Sequence, residues 1–426
     1  MTDLIIALFL GLFLLQWSLE TSLAGLNLAH VLASPAMAPG ALAGRVEEQS
    51  VVRSREYTVA GLRYALVREG AASAVVLAVL FSGLLPWLER SLVGVGLGGS
   101  HLFVAFLGTL GVASSLARLP FGLYRTFRIE ARFGFNRMTF RLWLWDRLKA
   151  ALLSALLGIP LLYGVYGFME GTGRWWWLWL FAFLVAVQVV MVWLVPALIA
   201  PLFNKYTPLP DGSLRRRVEA IAEKAGFRTR GIFLVDASRR SGHSNAYLAG
   251  FGRPRIVLFD TLLERMSEAE IAAVLAHEIG HYRRRHIHRS LALSTAGLLF
   301  LLYILSWLVD WPPLFSAFGF AAPSTHVAVA LLLLAGGAFT FWLGPVMAWL
   351  SRRREYEADA YSVNLVALPE ALKSALIGLS DHNLSNLWPH PWYSGYHYSH
   401  PPLTQRLEAI DRLGSGAPPP MAPEAL

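Results

Sequence analysis

Seven stretches of this chain are apolar and almost free of charge: residues 4–19, 71–88, 101–117, 150–169, 175–203, 290–309 and 327–350. A helix needs about 18–20 such residues to cross the hydrocarbon core of a bilayer, so the pattern predicts seven transmembrane helices. Residues 204–289, between the fifth and sixth, alternate as a soluble domain does. Leu214, Val218, Ile221 and Ala222 share one helix face, with Ser213 as a cap and Gly226 as the stop. GIFLVD (231–236) reads as a strand, and SNAYLAGF with RIVLF, joined through Gly252, Arg253 and Pro254, as a hairpin. Beyond the seventh span a helical segment runs from about 352 to 380, followed by a loop (381–402) rich in His, Tyr, Trp and Pro. The organisation is thus a five-span region (1–203), a soluble domain (204–289), two further spans (290–350), a C-terminal segment (351–414) and a disordered tail (415–426).

Charge adds an orientation. Five Arg lie between the first two spans and seven Arg plus Lys149 between the third and fourth. The alternate loops hold only Arg90, only Arg174, and, over 311–326, none. Lys and Arg collect on the cytoplasmic side, which places the N-terminus outside and both 204–289 and the C-terminus inside. The first stretch is preceded by Met-Thr-Asp without a positive charge, so it reads as a span and not as a signal peptide. The net charge of +9 and the mean hydropathy of +0.47 follow from this layout. The basic runs Arg215–Arg217, Arg283–Arg285 and Arg352–Arg354 adjoin spans or helix faces. They are read as membrane anchors in contact with lipid, and no nucleic acid is expected. Cysteine is absent, which excludes disulfides, thiolate metal sites and cysteine nucleophiles.

Within the soluble domain, residues 275–286 read LAHEIGHYRRRH. Ser267 followed three residues later by Glu270 starts this helix as a capping box, and Ile271, Val274 and Leu275 supply its buried stripe. His277 and His281 are one turn apart on one face, so both imidazoles can reach one metal ion. Glu278 beside them can serve as a general base, and Gly280 leaves room for a closely packed neighbour. A third His ten residues after the first is excluded, since position 287 is Ile; His286 is read as a helix-end residue favouring the C-terminal dipole. With no cysteine available, the best remaining candidate for the third ligand is a carboxylate on a second helix. SRRREYEADAYS (351–362) offers Glu355 and Asp359 on one face, with Glu357 pointing elsewhere. One of the pair can ligate while the other holds a ligating His; spacing leaves open which does which.

These motifs, together with SGHSNAYLAGF, HYSHPPLTQRL (397–407), PFGLYRTFRIEARFGFN (120–136) and LIAPLFNKYTPL (198–209), resemble the type I CAAX prenyl endopeptidase family. The resemblance covers nearly the whole chain. It implies a mainly α membrane protein whose seven transmembrane helices enclose a chamber, with a cytoplasmic gluzincin-like α+β zinc protease domain. Carried over by position, it implies one Zn2+ per chain held by His277, His281 and Glu355, with Glu278 as general base and Asp359 supporting a ligand. It further implies that Asn245 and Arg406 bind the substrate and that His400 stabilises the oxyanion. The expected partner is a peptide or protein, prenylated or not, and the oligomeric state is left open. No C-terminal retrieval signal is seen, which points to a bacterial inner membrane, with membrane-protein quality control as the broader task. Two other readings compete. A transporter-like protein with a structural zinc site would carry an ionisable pair inside a span, and none is read; His101 stands alone. An intramembrane protease is disfavoured because YRRRHIHR ends the metal helix in charge, at the membrane surface.

Overall fold

The computed structural model describes residues 1–250 and 252–414; the tail 415–426 and Phe251 lie outside the described residues. Six helical stretches are long and apolar enough to cross a membrane: Thr2–Ala33, Glu48–Phe81, Gly99–Glu130, Phe140–Gly171, Gly173–Leu202 and His286–Leu308. The seventh apolar stretch is a bent pair of helices. Thr325–Ala335 and Gly337–Val366 meet at 46° around Gly336. A Cβ on Gly336 would stand 2.3 Å from the carbonyl oxygen of Leu332, so only glycine permits this bend.

Several spans outrun their apolar windows. The first holds 32 residues, about 48 Å at 1.5 Å per residue, against a hydrocarbon core of roughly 30 Å. The predicted stretch 71–88 is not one element: its helix stops at Phe81, Gly83 turns at φ +78°, and a separate helix Leu84–Gly94 follows. Side chains on the spans are buried against one another sparsely, between 0% and 22% of each apolar window. Their shared core gathers at one end, where Phe9, Phe103, Phe106, Phe315 and Leu85 meet.

The soluble domain is built on a four-stranded sheet of order β1-β2-β4-β3. The strands are β1 Tyr206–Pro208, β2 Ile232–Val235, β3 Ala246–Ala249 and β4 Arg255–Phe259. β2 and β4 run parallel; β1 and β3 pair antiparallel on the two sides. β1 has no signature in the sequence, being three residues that end in Pro208, and an edge tolerates a proline. Ile232, Ala246, Ile256 and Leu258 form one sheet face, covered by Val218 and Ile221 of the helix Ser213–Lys224 and by Ile271 and Leu275 of the helix Glu268–Arg283. Ser213 is not the cap expected of it. Gly212 holds that position, and the Ser213 hydroxyl instead donates to Glu268. The single helix expected over 352–380 is two, Gly344–Val366 and Pro369–His382, because Pro369 disfavours helical geometry before it and Ala367 adopts φ +52°. The loop after them contains a short helix, Pro391–His397, and the final helix is Leu403–Gly414.

Candidate active site

The helix Glu268–Arg283 begins as its sequence asks. The Ser267 hydroxyl accepts from the Glu270 amide, and the Glu270 carboxylate accepts the Ser267 amide at 2.8 Å. The helix Gly344–Val366 crosses it so closely that a Cβ on Gly280 would lie 3.2 Å from Ala358 Cα and 3.1 Å from Tyr361 Cβ. Beside the crossing, the Ser362 hydroxyl donates to Ala273 O at 2.8 Å. This contact brings a carboxylate 74 residues away to the two histidines.

Three side-chain atoms converge there. His277 Nε2 and His281 Nε2 are 3.1 Å apart; His277 Nε2 lies 3.5 Å from Glu355 Oε2 and His281 Nε2 lies 3.3 Å from Glu355 Oε1. Donors bonded to one tetrahedral zinc at 2.0–2.1 Å would be roughly 3.3–3.4 Å apart, so the trio has the spacing of a metal site. Glu355 Oε2 is also buried without a well-directed hydrogen bond, although His400 Nδ1 stands 2.8 Å away. The structure therefore separates the two carboxylates that spacing left equivalent.

Asp359 accepts from His277 Nδ1 at 2.8 Å, which turns the lone pair of Nε2 toward the site. A second chain does the same for His281, and neither of its members was expected to take part. The Glu357 carboxylate can only accept, so His286 Nε2 donates to it at 3.1 Å. His286 Nδ1 is then the acceptor for His281 Nδ1–H at 2.9 Å, and His281 Nε2 is left with its lone pair free. His286 is thus not at the C-terminal end of the metal helix. Arg285 takes φ +58° and His286, buried, opens the sixth span directly behind His281. The signal was a histidine five residues after His281 and a carboxylate two residues after Glu355, but only the crossing shows that they meet.

Burial opposes charge on His277, but its hydrogen bonds to Asp359 and Glu355 prevail and push its pKa up to about 10. Glu278 is half-buried on the same turn, and burial raises its pKa above the ordinary carboxylate value.

The remaining expected residues fall into two groups. Asn245 is exposed at the head of β3, its Oδ1 accepting the Ala246 amide at 2.8 Å, and His400 stands at the rim with its side chain 65% exposed. Arg406 is placed differently from its expected role in holding substrate. It is 9% exposed, and its Nε and Nη2 fork Asp359 at 2.8 and 2.6 Å, so it sits behind His277 as a counter-charge to the carboxylates. Burial lowers the Arg406 pKa, but Asp359 beside it prevails and holds it above the usual guanidinium range.

Residues 27–205 match the family described as CAAX prenyl protease N-terminal, five membrane helices, and residues 208–413 match peptidase family M48. Relatives called CAAX prenyl protease 1 homologue include one from Oryza sativa, 36% identical, with 88% of this chain and 91% of the relative aligned. The Saccharomyces cerevisiae CAAX prenyl protease 1 is 34% identical with 88% of each aligned, and the human homologue 31% with 73% and 74%. The crystal structure of S. mikatae Ste24p superposes with a TM-score of 0.87 at 32% identity, over 95% of this chain and 98% of that one. By its two matched regions, its relatives and its fold, this chain is a membrane metallopeptidase of the M48 family, carrying the five-helix N-terminal region of the CAAX prenyl proteases.

Proposed function

We propose that the protein is a zinc endopeptidase acting at the cytoplasmic face of its membrane on extended peptides, including the C-terminal CAAX segments for which its relatives are named. The observation that carries this reading is the convergence of His277, His281 and Glu355 within 3.1–3.5 Å beside Glu278 and below an open strand edge. Two imidazoles and one carboxylate suit zinc and leave it an open position. When bound, zinc polarises a carbonyl and lowers the pKa of a coordinated water to about 7.

The protein's own groups supply the rest. Glu278, made more basic by burial, takes a proton from the attacking water and returns one to the leaving amine. His400, at the rim with its Nδ1 2.8 Å from Glu355 Oε2, would donate to the oxygen on which charge develops, a contact typically worth ~100–1,000-fold in rate. Asn245 and β3 hold the substrate backbone by strand addition, which gives affinity with little sequence preference. Loop charge supports the cytoplasmic placement; a bacterial host finds no support among relatives from a plant, a yeast and an animal.

The test uses detergent-purified protein and one CAAX-ended peptide, farnesylated or unmodified, with cuts located by mass spectrometry. Glu278→Ala should abolish cleavage while retaining zinc. A cut by Glu278→Ala at the wild-type rate would overturn the mechanism. Cleavage of the farnesylated form alone, three residues from its end, assigns prenyl processing; cleavage of both at several bonds assigns a broader membrane peptidase.

A further inference from the structure

The two ends of β3 open onto different chemistry. β3 is the last strand of its sheet, paired to β4 on one side only, and it packs on the HEIGH helix through Ala246. At its C-terminal end, Ala249 and Gly250 border a cavity of about 460 Å3, walled chiefly by apolar side chains such as Met191, Val192 and Val195 of the fifth span. At its N-terminal end, Asn383 accepts the Ser244 amide at 3.2 Å, one residue before Asn245. Asn383 also lines a second cavity of about 340 Å3, into which Arg68 and Arg125 project, as does Tyr398, two residues before His400. This polar cavity therefore adjoins the expected cleft from two sides, through Asn383 and through Tyr398.

Two guanidinium groups line it, each with a carboxylate partner: Glu69 beside Arg68 and Glu130 beside Arg125. Glu130 is already engaged: Tyr57 donates to it at 2.9 Å, Arg125 Nε at 3.3 Å, and His243 Nε2 lies 3.4 Å away. Arg68 pairs with its neighbour Glu69, and the side chains of Arg68 and Arg125 are 45% and 57% exposed. A planar guanidinium presenting donors into a cavity is suited to a carboxylate.

We infer that this cavity binds the free α-carboxylate at the C-terminus of a peptide substrate, with Arg68 and Arg125 as its specificity-determining residues. The inference rests on β3 being the substrate strand. A substrate pairing antiparallel with β3 runs from the Ala249 end toward Asn245, so its C-terminus leads into the Arg-lined cavity and not into the apolar one. At ~3.3 Å per extended residue, three residues beyond the cut span roughly 10 Å, the scale of one such cavity. The enzyme would then measure its cut from the chain end.

The test compares one unprenylated CAAX-ended peptide as free acid and as C-terminal amide, in wild type, Arg68→Gln and Arg125→Gln, with zinc content and melting temperature as folding checks. A charge-assisted contact predicts a wild-type kcat/KM preference for the acid of roughly 10–100-fold, carried mainly by KM. That ratio should fall toward one in each variant that retains wild-type zinc content and melting temperature. Equal cleavage of acid and amide by wild type overturns the inference while leaving the peptidase reading intact, and an unchanged ratio in both variants does the same. If one variant fails the folding checks, the ratio in the other decides, and failure of both counts against the inference. If wild type cleaves neither peptide, the peptidase reading falls on this substrate and the inference falls with it.

Discussion

At the scale of single residues, the site depends on which nitrogen of each histidine carries a proton. His277 is fixed by Asp359, which is itself held by the buried Arg406 fork, and His281 is fixed by His286 and Glu357. Groups that orient a ligand in this way commonly cost 10–100-fold in metal affinity when removed. His286→Ala should therefore lose zinc to a chelator roughly 10–100 times faster than wild type, with Glu357→Gln intermediate, followed as zinc release in stopped flow. Release at the wild-type rate from His286→Ala would reduce this chain to packing. Glu355→Ala should hold no stoichiometric zinc; full occupancy there would move the third ligand elsewhere. The histidine pair was legible because spacing of four is one helical turn. The assignment of Glu355 over Asp359 was not, because both stand on the same face and only the approach of the second helix sets their depth.

At the scale of elements, the site is a crossing of two helices, and its closest point is Gly280 against Ala358 and Tyr361. The neighbouring atoms are backbone and Cβ, which cannot rotate away. Gly280→Ala must part the helices by a few tenths of an ångström and carry Glu355, one turn before Ala358, with them. Overpacking of this kind typically costs about 1–3 kcal/mol. The melting temperature in detergent should fall and zinc content with it; unchanged values of both would show that the crossing gives more easily than its geometry suggests. The room made by Gly280 could be read from the sequence, although its partner could not. The segment 352–380 was read as one helix because its apolar pattern continues through Pro369, where the structure starts a second helix.

At the scale of the whole molecule, loop charge predicts an orientation, and the absence of cysteine from the sequence makes it directly testable. A single Cys at Arg174, in the loop between the fourth and fifth spans, should react with a membrane-impermeant maleimide added outside sealed cells or vesicles. A single Cys at Asp211, exposed in the soluble domain, should react only after permeabilisation. The opposite pattern would invert the protein and put its site on the other face. Glu89, in the short helix Leu84–Gly94 outside the second span, and the buried His326 lie 2.8 Å apart, remote in sequence and joined at the start of the helix Thr325–Ala335. Phe106 packs edge-on against His326, so the pair sits within the end where the spans share their core.

Local regularities in the sequence determined the apolar stretches, the HEIGH helix with its capping box, and the strands that flank Asn245. Each follows from a period or a charge count read within a few tens of residues. Local spacing left Glu355 and Asp359 equivalent, and the tertiary structure brings Glu355 together with His277 and His281 while Asp359 bonds to His277 from behind. It also decided that Arg406 is buried beneath the ligands, that His286 and Glu357 join the site, and that the seventh apolar stretch bends at Gly336. These features depend on the distance and angle between elements separated by tens of residues, which helix–helix packing sets and no local pattern encodes.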